Sequence, residues 1–341
     1  MTAPMPSADT DPAAADPGRD GHSPERDNAG AGSRDNAGGS WHGTAQMRFS
    51  PGATGTVLQG GATAPLKLMR SYRRADGRCE LPLLHTAGGL VGGDRLSLSL
   101  ELAAGSRALV TTVAAQKVYG TIGRCRRDPA GRWARQELTV HVAAGADLEW
   151  LPQELVLYAD GLYEQTLRVD LEPGAGWLGA ELVRLGRTAA GEALGRGRWR
   201  SALEVRRLGA HGPRWELVDR LELGGDGLEA EHGMAGQPVF GSLVWAAPQR
   251  LEAERLTRLL DDLRQERQGL TGEMACGALE QGLVARFRGD STTAARSWFT
   301  RIWARLRREQ GLAAPERPRV WPFQETPLRD TGPEPQALVS H

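Results

Sequence analysis

The sequence predicts a mostly-β chain of stacked strands with two α-helices in its C-terminal part. Three observations carry this: period-two apolar alternation between about 56 and 247, three look-alike strand–turn units, and helical periodicity that appears only late.

Residues 1–45 are mostly Ala, Asp, Gly, Pro and Ser with almost no large apolar side chains, and Arg-Asp-Asn-Ala-Gly occurs at 26–30 and again at 34–38. Such a segment buries too little apolar surface to offset its ordering entropy, so a disordered tail is expected over 1–45. Order is expected from near Trp41 to Phe49, with a single β-rich domain over 46–325 and a flexible C-terminal tail over 326–341. Leu96, Leu98, Leu100 and Leu102 alternate with polar residues, as do Leu138, Val140 and Val142, and Leu167, Val169 and Leu171. Half-buried strands read this way. Each run ends in a similar turn, with Gly105, Gly145 and Gly174 in matching places. A turn that needs positive φ explains the glycine, which adopts it without steric cost. Repeated strand–turn units predict stacked sheets, either a sandwich or a short solenoid.

Leu251, Leu256, Leu259, Leu260 and Leu263 follow helical spacing, with Pro248 suited to a first turn. A strand-like run, Gly282 to Phe287, separates this helix from a second over about 293–309. The second has the apolar stripe Trp298, Phe299, Ile302 and Leu306, a cap at Ser291 or Thr292, and Gly311 at its end. The basic run Arg305-Leu306-Arg307-Arg308 reads as a solvated helix face.

The 341 residues are enough for a sizeable core. Lys+Arg and Asp+Glu are 42 each, so net charge argues for neither nucleic acid nor an anionic membrane as partner. Cys79, Cys125 and Cys276 are far apart and form no C-x-x-C pair, which fits a reducing compartment rather than a disulfide framework or structural zinc. No apolar run spans a membrane and no secretory signal is visible, so a cytoplasmic protein is expected.

Local chemistry is sparse. In Gly88-Gly89-Leu90-Val91-Gly92-Gly93-Asp94-Arg95, the outer glycines have P-loop spacing, but Asp94-Arg95 stands where Lys and Ser/Thr are needed. The alternation that follows is a strand, not the helix a nucleotide loop requires. The histidines are His22, His42, His85, His141, His211, His232 and His341, and none pairs as H-x-H or H-x-x-x-H. There is no G-x-S-x-G elbow. No catalytic residue and no tightly bound cofactor is assigned.

At these same residues the sequence resembles a known family. Leu83 to Asp94, containing His85, Gly88, Gly89, Gly92 and Gly93, resembles the Gly-rich signature of UreD urease accessory proteins. Thr111 to Tyr119, with Lys117 and Tyr119, resembles the second block, and Leu148 to Glu154, with Trp150, Pro152 and Glu154, the third. Leu185-Gly186-Arg187 with Gly191-Glu192, then Pro238 to Gly241, then Pro318 to Trp321 complete six blocks in family order over roughly 47–323. Gln116, Arg95 and Tyr158-Ala159-Asp160 depart from the family pattern.

The resemblance implies a fold of strands in a layered or helix-like arrangement with two helices. It implies a non-enzymatic scaffold that associates with UreF, recruits the GTPase UreG and docks on apo-urease, with nickel passing through its interior. Ni2+ in transit needs ligands that attract without holding, which spaced carboxylates and waters supply better than a His/Cys cage. Asp94, Glu181 and Asp219 are the expected path: Asp94 follows the Gly turn, and the other two stand in apolar strand contexts. The plainer alternatives are ion pairs, Glu181 with Arg184 or Arg187, and Asp219 with Arg220 or a neighbouring strand. Lys117 and Tyr119 could instead anchor a partner surface. Two other functions compete. A cytosolic β-rich carbohydrate hydrolase would use the ten tryptophans and many carboxylates. A structural adaptor would involve no metal traffic.

Overall fold

The computed structural model describes residues 39–321 and the short strand Ser33–Arg34. Two sheets enclose one core. The first runs Ser33–Arg34, Trp41–Gly52, Arg95–Leu102, Ala134–Val142, Leu162–Leu171, Arg198–Arg207 and Arg214–Leu223, with Gly55–Ala62 paired on Trp41–Gly52. The second runs Glu273–Leu279, Gly282–Gly289, Val239–Ala246, Gly176–Leu185, Asp147–Trp150, Arg107–Thr112, Cys79–His85 and Leu66–Leu68. Tyr72–Arg73, Gln116–Val118 and Leu155–Leu157 extend it.

The alternating runs form three β-arches. Each has a strand in the first sheet, a Gly corner and a strand in the second. Arg95–Leu102, Ala134–Val142 and Leu162–Leu171 pair in parallel, so Leu102, Val142 and Leu171 lie level across the sheet. Their continuations Arg107–Thr112, Asp147–Trp150 and Gly176–Leu185 also pair in parallel. The corners carry the ladder round the bend: Ala143 N–H donates to Leu102 O at 3.0 Å and Glu172 N–H to Val142 O at 2.9 Å. Gly105, Gly145 and Gly174 turn these corners at φ of +70°, +65° and +75°, a conformation that costs a side-chain-bearing residue strain. The choice between sandwich and solenoid thus resolves into solenoid-like arches that together make a sandwich.

The inward leucines Leu96, Leu98, Leu100 and Leu102 are buried between the sheets, together with Val140, Val169, Trp177 and Trp199. A second cluster lies behind the second sheet, where Trp245, Leu243, Phe287 and Leu178 meet the helices α1 (Ala253–Gln265) and α2 (Thr292–Glu309). Helix α2 begins where expected: Ser291 Oγ accepts the Ala294 N–H at 3.1 Å. Gly311, at φ +69°, follows its end. Pro248 is not in the first turn of α1, which begins five residues later at Ala253.

The basic run 305–308 is not simply a solvated face. Arg307 is buried and grips Glu149 through two hydrogen bonds of 2.7 Å, with Trp303 Nε1 donating to the same carboxylate at 2.7 Å. Arg305 pairs with Asp262. Among the described residues no helix is long and apolar enough to cross a membrane.

Residues 1–32 and 35–38 of the expected N-terminal tail lie outside the described residues, as does all of 326–341. Trp41–Gly52 is already a strand, so residues 41–45 belong to the sheet.

Candidate functional site

Between the sheets lies a cavity of about 330 Å³. Strand register places it transverse to the strands. On the first sheet its wall has a polar row, Gln136, Gln165 and Ser201, level across three strands. Beside it runs an apolar row, Leu98, Leu138, Leu167 and Leu203, which ends level with Asp219 on the edge strand. On the second sheet the wall passes from Leu83 and Thr112 through Trp150 and Gly179 to Glu181 and Ser242. Because both sheets order these strands alike, the Gly-rich turn stands at one end and Glu181 with Asp219 at the other.

The acidic end brings two of the expected path residues together. Glu181 accepts the Ser201 hydroxyl at 3.0 Å and a hydrogen bond from Gln165 Nε2. Burial pushes its carboxyl up to about 7, against the pull of the Ser201 hydroxyl and of the nearby Arg286 guanidinium. Buried Tyr163, on the opposite wall, is pushed up by burial and then by the charge of Glu181. The partners offered by sequence neighbours are taken elsewhere: Arg184 bonds Asp290 O and Thr188, Arg187 pairs with Glu192, and Arg220 with Glu204. Asp219 pairs instead with Arg286 of Gly282–Gly289, reaching across from the opposite sheet.

The elevated Glu181 carboxyl has a measurable sign. The native state favours its neutral form, so its contribution is full below the ordinary value of 4.5 and is lost as pH rises through about 7. The melting temperature of the native protein is therefore expected to fall relative to Glu181→Gln between about pH 4 and about pH 8. Parallel melting curves for the two proteins across that range would contradict the assignment.

At the other end His85 faces the cavity with Gly88, Gly89 and Lys117. Neither ring nitrogen of His85 has a partner among the described residues. Burial lowers its pKa, while the charge of Asp94 acts the other way. Gly89 sits at φ +154°, and a Cβ there would come within 2.7 Å of the Tyr119 ring, so only glycine lets the turn lie against Gln116–Val118 and Tyr119. The Leu90 N–H donates to Lys117 O at 2.8 Å and the Tyr119 N–H to Leu90 O at 2.9 Å, which fixes that contact. Trp150 and Pro152 line the middle of the cavity.

Other motif residues lie elsewhere. Asp94, expected beside Glu181 and Asp219, does not line this cavity. Its carboxylate accepts the backbone N–H groups of Trp41 and Val91, each at 2.9 Å, and so closes the Gly-rich turn. With Gly93 it borders a second cavity of about 360 Å³ near Arg132. Gly92 and Gly93 leave room for Arg132, whose atoms would lie 2.5 and 2.6 Å from their added Cβ atoms. Tyr119 stacks edge-on against Tyr158 at 5.0 Å, and the Lys117 side chain is exposed. Glu154 pairs with Arg296 of α2.

Gln136, Gln165, Ser201 and Arg286 were not singled out from the sequence. Their signal is a polar residue at an inward position of an alternating strand, as in Tyr163-Glu-Gln165-Thr-Leu167. The tryptophans behind the hydrolase reading are largely core: Trp150, Trp177, Trp199, Trp245, Trp298, Trp303 and Trp321 are buried.

Comparison with known proteins agrees with the motif blocks. Residues 42–322 match the family model described as UreD urease accessory protein. The chain is 59% identical over 289 residues to the urease accessory protein UreD of Synechococcus sp. (strain CC9311), covering 85% of this chain and 98% of the relative. It is 60% identical over 288 residues to that of Parasynechococcus marenigrum (strain WH8102), covering 84% and 93%. With that of Prochlorococcus marinus (strain MIT 9303) it shares 55% identity over 292 residues, covering 84% and 98%. A family match over most of the chain, with relatives this similar along nearly their whole length, places this chain in the UreD family of urease accessory proteins.

Proposed function

We propose that this chain is a non-enzymatic urease maturation factor that docks on apo-urease together with UreF and UreG and passes nickel through its interior toward the urease active site. The observation that carries this reading is the cavity between the sheets, with its amide and hydroxyl row leading to Glu181 and with Asp219 at the same end. Oxygen donors of this kind suit a cation in transit, since they replace part of its hydration shell without the grip of thiolates or several imidazoles. His85 at the opposite end adds one neutral nitrogen donor along the same wall. Glu181 and Asp219 are the path residues of this proposal, and Asp94 acts by shaping the turn beside His85.

The test is nickel content and activity of the cognate urease in a host that supplies the other accessory proteins, with and without this chain, under limiting nickel. Nickel-poor urease without the chain, restored by its return, is the expected result. Nickel loading indifferent to the chain would remove the maturation role and favour an adaptor with no metal traffic.

A further inference from the structure

A cation already stands against the acidic end of the cavity, paired with Asp219. Glu181, Ser242 and Arg286 lie level across three neighbouring strands of the second sheet. Alternation turns all three to the space between the sheets: Val284 of the same strand packs on the inter-sheet core, whereas Leu283, Ala285 and Phe287 pack toward the helices. Arg286 Nη2 donates to Asp219 Oδ2 of the facing sheet, and the guanidinium carbon stands 5.7 Å from the Phe240 ring centroid. Nη1 is buried with no hydrogen-bond partner among the described residues. The side chains of Arg286 and Asp219 are 31% and 19% exposed, so the pair stands at the boundary between cavity and solvent.

We propose that Arg286 is a resident counter-cation that closes the acidic end of the cavity, and that a divalent cation takes Asp219 and Glu181 only when the guanidinium swings out. The proposal rests on the conduit reading above and names the residue that controls it. Two carboxylates at the edge of a low-dielectric cavity would otherwise hold a divalent cation firmly. A guanidinium beside them offsets one negative charge and competes for the same oxygens. The guanidinium is itself incompletely satisfied, with Nη1 unbonded, so the water bonds it gains on swinging out offset part of the lost pair with Asp219. Arg286 thereby keeps the metal affinity of this end low, as release requires. Its removal should turn a passage into a trap.

The experiment titrates NiCl2 into the purified full chain by calorimetry at about pH 8, where Glu181 is ionised. The variants are Arg286→Met, which keeps length without charge, Arg286→Gln as a second neutral form, and Arg286→Lys. The neutral variants are expected to bind Ni2+ at least about tenfold more tightly than the native protein, and Arg286→Lys to stay within about threefold. Adding Asp219→Asn to either neutral variant should return affinity to the native level. In the urease-activation assay the neutral variants should deliver less nickel despite tighter binding, a combination that a merely structural role for Arg286 does not produce. Native-like binding by a folded neutral variant would overturn the proposal, as would tight binding that survives Asp219→Asn. If Glu181→Gln/Asp219→Asn leaves urease activation intact, the conduit itself fails. If that double variant is inactive while the neutral Arg286 variants bind like the native protein, only the gate fails.

Discussion

Arg307→Ala is expected to destabilise the protein by about 3–5 kcal/mol, the scale for breaking a buried ion pair from one side. Arg307 anchors α2 to the second sheet with a two-pronged grip on Glu149, and both side chains are almost wholly buried. The pair belongs to a larger cluster. Arg78, fully buried, donates to Asp147 Oδ2 at 2.6 Å and lies 3.5 Å from both Asp76 and Glu149. Arg307 also reaches Asp76 at 3.5 Å. Without the Arg307 guanidinium, Glu149 keeps the Trp303 indole and Arg78 at 3.5 Å, which replace the two short charge-assisted bonds only in part for a carboxylate removed from water. Urea titration checks the magnitude, and limited proteolysis checks whether α2 is the part released. A loss below about 1 kcal/mol would mean that the cluster relaxes around the missing charge. Replacing Glu149 and Arg307 together by Gln and Met should cost less than Arg307→Ala alone, because no charge is then left unpaired.

Glu181→Gln combined with Asp219→Asn should lower nickel loading of urease by about tenfold or more, equivalent to about 1.4 kcal/mol of lost cation stabilisation. The fold should tolerate the change. The Glu181 carboxyl is raised to about 7, so its neutral form is already well populated near neutral pH, and an amide in its place still accepts from Ser201 and Gln165. Asn at 219 keeps an oxygen for Arg286. Loss of activation with a melting temperature no lower than that of the native protein at about pH 6 would tie the effect to charge on the path rather than to folding. Full activation by the double variant would remove these two residues from the path.

Much of the fold was legible because one face of each arch strand meets the core and the other faces outward, so Leu96 to Leu102 advertises its geometry. The matching glycines announced corners for the same reason: their φ leaves few other residues. Alternation is silent on which strand lies beside which, because parallel and antiparallel neighbours bury the same face. That is why the arches and a stacked arrangement could be read while the choice between sandwich and solenoid stayed open. Arg286 escaped notice for a related reason. Gly282–Gly289 turns Leu283, Ala285 and Phe287 toward the helices and leaves Val284, Arg286 and Arg288 half-buried, so its two arginines read as an ordinary solvent-facing row. Asp94 shows the limit of local context. An acid after a Gly-rich turn reads alike whether it meets a metal or its own backbone, and here the Val91 and Trp41 N–H groups supply the partners.

The direction of the cavity has an evolutionary consequence. Because it crosses the strands rather than following them, its length is counted in arches. Duplicating one arch would move the two ends apart by one strand spacing, about 4.8 Å, and would leave the chemistry of each end untouched. A lineage could thus match the reach of this scaffold to a larger or smaller client by adding or deleting a rung, as a ladder is fitted to a wall.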